Sequence, residues 1–385
     1  MEGDAVEGQG PALAPGEFTA VCCQQETENA VDREAVERNL AHMLELVDWA
    51  VEGYMGHGAP IRLIVFPELV LHGAAGYSWS EQRRVACEIP GAETERIAAK
   101  AREYGTYVVA GSLLERDETY DAIFNTLVMF GPSGEIALRY RKVNVWYPLE
   151  PAQSPVDLLA AGYDVERHPL FPVARTEIGN IGGYICYDGL FPEVTRQLAF
   201  NGAEIFARAS AFMDPWGTGP TGTCGLADRM RSIENMSYSV SCQQGSTLRS
   251  SPPYSWPGHS MIVDFEGRVL AEGDRGEQIV KARIDAHRVR GFRRSILTHN
   301  LLAQNRHEAY DYMSRPAAPA HPELAERTDV GLQEYEQMTK AGAERFWSDY
   351  YGEPCEFPTL STPFWRAQRE RAAREASSRV FDGSR

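Results

Sequence analysis

Short apolar runs alternate with helix-like stretches along the first part of this chain, and that alternation limits most strongly the folds open to it. Phe18-Thr-Ala-Val-Cys-Cys reads as a first strand. Val31 to Val51 carries Ala35, Leu40, Met43, Leu44 and Val47 at helical spacing among charges, the pattern of an amphipathic helix. Ile61-Arg-Leu-Ile-Val-Phe is a buried-type strand that stops at Pro67-Glu68; Glu93 to Tyr104 is again helical, and Tyr107-Val-Val-Ala-Gly-Ser-Leu is again a strand. Hairpins come later. Asn125-Thr-Leu-Val-Met-Phe, a Gly-Pro-Ser-Gly turn at 131–134 and Ile136-Ala-Leu-Arg-Tyr form one. Residues 143–172 hold many prolines and are expected as loop. Beyond them the pattern predicts strands at Asn180 to Tyr187, Ala203 to Ala207 and Tyr238 to Cys242, and helices at Pro192 to Phe200 and Asp228 to Asn235. A last strand pair is expected at 261–265 and 279–284, around Glu266-Gly267. Strand–helix alternation followed by hairpins fits one α/β domain with mixed sheets. No internal repeat is visible.

Composition removes several classes of function. The 385 residues carry 38 basic and 54 acidic side chains, a net charge of −16, which argues against a nucleic-acid partner because phosphate binding needs a basic surface. No apolar run of about 18 residues occurs, so no membrane span is expected. The segment Met1 to Phe18 is acidic and rich in Gly, Ala and Pro, without the features of a signal peptide. Seven cysteines with no CxxC pair favour neither a disulfide framework nor a zinc site. A cytoplasmic protein that needs no metal or other cofactor is the expectation.

Three segments place a reactive side chain at the end of an apolar run. Phe66-Pro67-Glu68 supplies a carboxylate, Arg141-Lys142 an ammonium, and Tyr184-Ile-Cys186-Tyr-Asp-Gly189 a thiol. Each has an ordinary reading: a core cysteine, a glutamate emerging into a loop, a surface lysine. The elbow at Cys186 suggests more, because Gly189 and a helix opened by Pro192 follow it. Backbone N–H groups at such a strand-to-helix turn can stabilise a thiolate or a developing oxyanion.

In order and spacing the trio resembles the nitrilase superfamily of carbon–nitrogen hydrolases. Gly183-Tyr-Ile-Cys-Tyr-Asp-Gly-Leu-Phe-Pro-Glu193 and Asn201-Gly-Ala-Glu204 look most like its aliphatic amidase and formamidase branch. The resemblance implies a four-layer α-β-β-α sandwich. It also implies a small-molecule amide substrate and acyl-enzyme chemistry, with Cys186 as nucleophile, Glu68 as base, and Lys142 with the Tyr187 N–H as oxyanion partners. Glu150, eight residues after Lys142, matches a second glutamate that positions substrate or orients the lysine and base. Trp146 and Tyr147 are candidate pocket walls. The chain departs from the branch at Val145, where proline is usual, and at Pro151-Ala152, where Gly-Trp is frequent, and this leaves the substrate open. An N-carbamoyl hydrolase or a nitrilase are alternatives within the superfamily, and Tyr187-Asp188 after the cysteine favours an amide. Outside it stand a histidine-based cysteine hydrolase and a non-catalytic binding protein on the same scaffold.

The expected organisation is a flexible leader at 1–16, a hydrolase domain at 17–294 and an extended C-terminal arm at 295–385. The arm is rich in aromatics, among them Tyr310, Tyr312, Phe346, Trp347, Tyr350, Tyr351, Phe357, Phe364 and Trp365, and turns arginine-rich after 366. Aromatic and arginine side chains are enriched at subunit interfaces. A homo-oligomer built on a two-fold dimer is therefore expected.

Overall fold

The computed structural model describes residues 14, 16–53, 58–74, 79–146, 150, 152–214, 222–249, 255–314 and 332–356. The first half runs β1 (Phe18–Gln24), α1 (Arg33–Glu52), β2 (Ile61–Val65), α2 (Trp79–Val85), α3 (Ala92–Tyr104), β3 (Tyr107–Asp117), β4 (Ala122–Phe130) and β5 (Ile136–Arg141). Then follow β6 (Val173–Thr176), β7 (Gly179–Ile185), α4 (Pro192–Phe200), β8 (Ile205–Ser210), α5 (Thr223–Asn235) and β9 (Tyr238–Gln243). The described chain closes with β10 (Met261–Val263), β11 (Val269–Glu272), β12 (Gln278–Ile284), α6 (Ala286–Ser295) and α7 (Leu332–Tyr351).

The strands form two six-stranded sheets, ordered β12-β1-β2-β3-β4-β5 and β11-β10-β9-β8-β7-β6. Each has a parallel centre, β1-β2-β3 in one and β7-β8-β9 in the other, with antiparallel strands outside it. Side chains alternate across a strand, so neighbours in sequence serve different cores. Cys22, Leu63, Val65 and Val109 join Ile181, Ile205, Ala207 and Val240 in the core between the sheets. Their neighbours Val21, Cys23, Ile64 and Val108 face the other way, onto Leu40, Met43 and Val47 of α1 and Ile97 and Ala101 of α3. Sheets buried on both faces explain strands that read as continuous apolar runs.

The α/β sandwich expectation holds, with differences in detail. The strand expected to run to Tyr187 ends at Ile185, because Cys186 has φ +45° and opens a 3₁₀ turn over Cys186–Leu190. Residues 279–284 do not pair with 261–265. They lie antiparallel to β1, from Phe18 against Ile284 to Gln24 against Gln278, and cover what would otherwise be an open edge of the first sheet. The partner of β10 is β11. The loop after Lys142 contains a short 3₁₀ turn at Pro155–Leu158 and gives way to β6 at Val173. Most of 1–16 and all of 357–385, including the arginine-rich run, lie outside the described residues. No helix among the described residues is long and apolar enough to cross a membrane.

Candidate active site

Glu68 follows β2 in a loop pinned to β3. The Leu69 N–H donates to Ser112 Oγ at 3.0 Å, the Ser112 N–H to the Pro67 carbonyl at 3.3 Å, and the Val70 N–H to the Ser112 carbonyl at 3.2 Å. Gly111 makes the approach possible. Its φ is +61°, and a Cβ there would stand 1.9 Å from the Pro67 carbonyl oxygen, so no other residue fits without moving the loop that carries Glu68. Lys142 leaves the end of β5, with its N–H donating to the Asn125 carbonyl at 2.9 Å. Cys186 follows directly on β7, the strand of the second sheet between β6 and β8.

The structure brings Glu68, Lys142 and Glu150 together. Lys142 Nζ donates to Glu68 Oε1 at 2.7 Å and to Glu150 Oε2 at 2.6 Å, and the ammonium is only 1% exposed. Asn125 Nδ2 donates to the same pair, at 2.9 Å to Glu68 Oε1 and 2.6 Å to Glu150 Oε1. The remaining oxygen of Glu68 accepts the Ala211 N–H at 2.9 Å, and Gln244 Nε2 holds the Glu68 carbonyl at 2.7 Å. Glu150 in turn accepts the Trp146 N–H at 3.0 Å. Every oxygen of the two carboxylates is bonded, which is what keeps buried charge tolerable.

Burial alone would push the Lys142 ammonium down, but Glu150 and Glu68 outweigh it and hold it well above the usual lysine range. Burial, helped by the Glu68 charge and opposed by Lys142, raises the Glu150 carboxyl. Cys186 meets the same opposition. Burial and then Glu68 push its thiol well up, while Lys142 and Arg208 pull it down. Lys142 thus acts on the thiol in the expected sense without prevailing. The balance favours the thiol over the thiolate, and no histidine figures among the strongest influences on it.

Tyr187 occupies the first turn of the 3₁₀ segment, where N–H groups have no partner within the helix. Its ring packs edge-on to Phe191. Trp146 lies against Ala211, Met213 and Trp256, beside the Glu68 loop; Tyr147 lies outside the described residues. Sequence reading missed Asn125, the Ala211 N–H, Asp188 and Arg208. Asp188 braces the elbow, accepting from Tyr140 Oη at 2.8 Å, the Ile185 N–H at 3.1 Å and the Asn144 N–H at 2.9 Å. The signal was there in part: Asn125 and Arg208 are polar residues inside largely apolar strands.

The carbon–nitrogen hydrolase family pattern matches residues 19–294. The chain belongs to the carbon–nitrogen hydrolase family. It is a hydrolase acting on carbon–nitrogen bonds other than peptide bonds. It is 29% identical over 269 residues to a formamidase from Bacillus cereus (strain Q1), across 69% of this chain and 74% of that one. Among solved structures, Saccharomyces cerevisiae Nit3, of branch 10 of the nitrilase superfamily, aligns with a TM-score of 0.61 at 24% identity, over 75% of this chain and 98% of that one. A mutant of the amidase from Nesterenkonia sp. AN1, with the acetamide moiety of fluoroacetamide added covalently at its active-site cysteine, aligns with a TM-score of 0.56 at 19% identity, over 79% of this chain and 98% of that one. The hydrolase has the fold of this superfamily, two sheets between helical layers. Among its described residues no group of three or more His, Cys, Asp and Glu side chains is disposed to hold a metal ion.

Proposed function

We propose that this hydrolase cleaves the C–N bond of a small carboxamide, giving a carboxylic acid and ammonia through a thioester on Cys186. Glu68 takes the thiol proton as sulfur attacks the carbonyl carbon and the C–S bond forms. Lys142 and the Tyr187 N–H hold the negative oxygen of the tetrahedral intermediate. The C–N bond then breaks, and protonated Glu68 passes its proton to the departing amine. Water, deprotonated by Glu68, attacks the thioester; the C–O bond forms, the C–S bond breaks, and the sulfur recovers its proton. Glu150 and Asn125 keep Lys142 and Glu68 in place, and Trp146 walls the substrate pocket.

The observation that carries this reading is the buried lysine shared by two carboxylates, 2.7 Å from Glu68 and 2.6 Å from Glu150, with the thiol under the influence of both Lys142 and Glu68. The formamidase relative supports the substrate class, and the Nesterenkonia amidase, whose active-site cysteine carries a covalently added acetamide moiety, supports the nucleophile. Glu68→Gln and Lys142→Ala are expected to fold normally and to lose at least about a hundredfold in kcat. Iodoacetamide is expected to label Cys186 before any other cysteine. Near-normal kcat in Glu68→Gln would make the histidine-based alternative the better account.

The same proposal covers the whole chain. Residues 17–294 form the hydrolase domain, and 295–385 form an arm that helps to build a homo-oligomer on a two-fold dimer. A cytoplasmic location accords with seven free cysteines, none in a disulfide.

A further inference from the structure

Arg208 lies in the middle of β8, in register with Tyr184 of β7 on one side and Ser241 of β9 on the other, and it is fully buried. A guanidinium is charged at any working pH, so the central parallel strands enclose a permanent cation. Nη1 donates to Asp228 Oδ1 at 2.7 Å and to Cys224 Sγ at 3.1 Å, both on α5. Nη2 donates to the carbonyl oxygen of Cys186 at 2.6 Å. Nε has no partner. An ion pair buried this deeply adds little stability over apolar side chains of the same volume, and an unbonded N–H subtracts from that little. Stability therefore does not account for the arrangement.

The backbone of Cys186 does. Its φ of +45° is one that side-chain-bearing residues rarely adopt, and such a conformation persists only where the surroundings over-determine it. Asp188 grips the Ile185 N–H before the residue, and Arg208 grips the carbonyl after it. The turn lies directly on the guanidinium: a Cβ at Gly189 would stand 2.8 Å from Arg208 Cζ. Among the described residues, the charged groups that act most strongly on the thiol are Glu68 beyond β2, Lys142 beyond β5 and Arg208 on β8, and Asp188 braces the turn. Asp228 and Cys224 of α5 stand behind the guanidinium. Only Lys142 and Arg208 in this set are cations.

We propose that Arg208, oriented by Asp228, is a positioning residue for the nucleophile: it locks the elbow that aims the Cys186 sulfur and adds a second positive charge that favours the thiolate. The inference rests on Cys186 being the nucleophile. It is tested with Arg208→Met, Arg208→Lys and Asp228→Asn, measuring kcat and KM on formamide and acetamide, thermal midpoint, and the pH dependence of Cys186 alkylation by iodoacetamide read by peptide mass mapping. Arg208→Met is expected to lower kcat on the order of a hundredfold with KM little changed, and to move the alkylation profile to higher pH. Arg208→Lys, which keeps the charge but cannot span both partners, is expected to restore the alkylation profile more fully than kcat. Asp228→Asn is expected to fall between wild type and Arg208→Met. If Arg208→Met does not fold, the other two variants carry the test. Wild-type kcat and alkylation profile in every variant that folds, or a lowered thermal midpoint as the only change, would overturn the proposal. If alkylation of Cys186 in the wild type does not track loss of activity, the nucleophile assignment fails first and this inference with it.

Discussion

Asn125 holds two carboxylates side by side in a buried site where their charges repel. Its amide nitrogen donates to Glu68 and Glu150 from one side while Lys142 bridges them from the other. Removing one shared donor leaves the lysine alone to set their separation, and a general base works only within hydrogen-bond reach of its proton. Asn125→Ala is expected to lower kcat by about tenfold to a hundredfold with a smaller change in KM, because what is lost is alignment rather than substrate contact. Steady-state kinetics on formamide or acetamide check it. Wild-type kcat in Asn125→Ala would mean that Lys142 suffices to hold the pair. Asn125→Asp, which adds a third carboxylate, is expected to be the more damaging change.

At the scale of elements, the loop that carries Glu68 is tied down by His72. This ring is fully buried; Nε2 donates to the Val85 carbonyl at 3.1 Å and Nδ1 accepts the Leu114 N–H at 3.4 Å, joining the end of α2 to β3. Burial pushes the imidazolium down to about 3, with Arg33 adding to the shift. The folded-state value lies below the unfolded one, so the stability this ring contributes is complete above about pH 6.5 and is lost as pH falls toward 3. The loss approaches about 5 kcal/mol at most. His72→Gln, which can keep one donor and one acceptor, is expected to be less stable than wild type at pH 7.5 and to lose less on acidification. Thermal melts of both proteins from pH 7.5 to 4 decide it, and parallel curves would contradict it. How far such elements can be read from sequence depends on what signals them. The strands ending at Glu68, Lys142 and Cys186 were legible because each is an apolar run that stops abruptly. The partner of residues 279–284 was not, since alternation shows that a strand has a buried face without naming its neighbour, and β1 lies more than 250 residues away in sequence. Helix α6 was hidden by its composition: Arg288, Arg290, Arg293 and Arg294 outnumber its apolar residues, yet Arg290 pairs with Glu204 and Arg293 caps carbonyls of Ala203, Asn235 and Met236. The premature end of β7 left no glycine to mark it, because the residue with positive φ is the cysteine itself. Asn125 and Arg208 became recognisable as parts of the site only once the fold placed carboxylates and the Cys186 carbonyl in front of them.

For the whole molecule, the proposed division into a hydrolase domain and an arm makes the assembly testable. On α7, Phe346, Tyr350 and Tyr351 are 57%, 69% and 63% exposed and pack with Trp347 into one aromatic cluster, while Met338 of the same helix packs against the core that includes α1 and α3. Large exposed aromatics in one patch suit a subunit contact. Light scattering after size exclusion is expected to show a dimer or larger species for the full-length chain and a smaller one for a chain ending at residue 295. A full-length monomer at micromolar concentration, or an assembly unchanged by the truncation, would contradict the arm's role. The central claim concerns the reaction itself, and an ammonia-release screen of the full-length protein over formamide, short aliphatic amides, aromatic amides, carbamoyl amino acids and nitriles tests it most directly. The account predicts ammonia from a short amide at a rate that Cys186→Ala abolishes; silence across every amide, or undiminished release by Cys186→Ala, would contradict it.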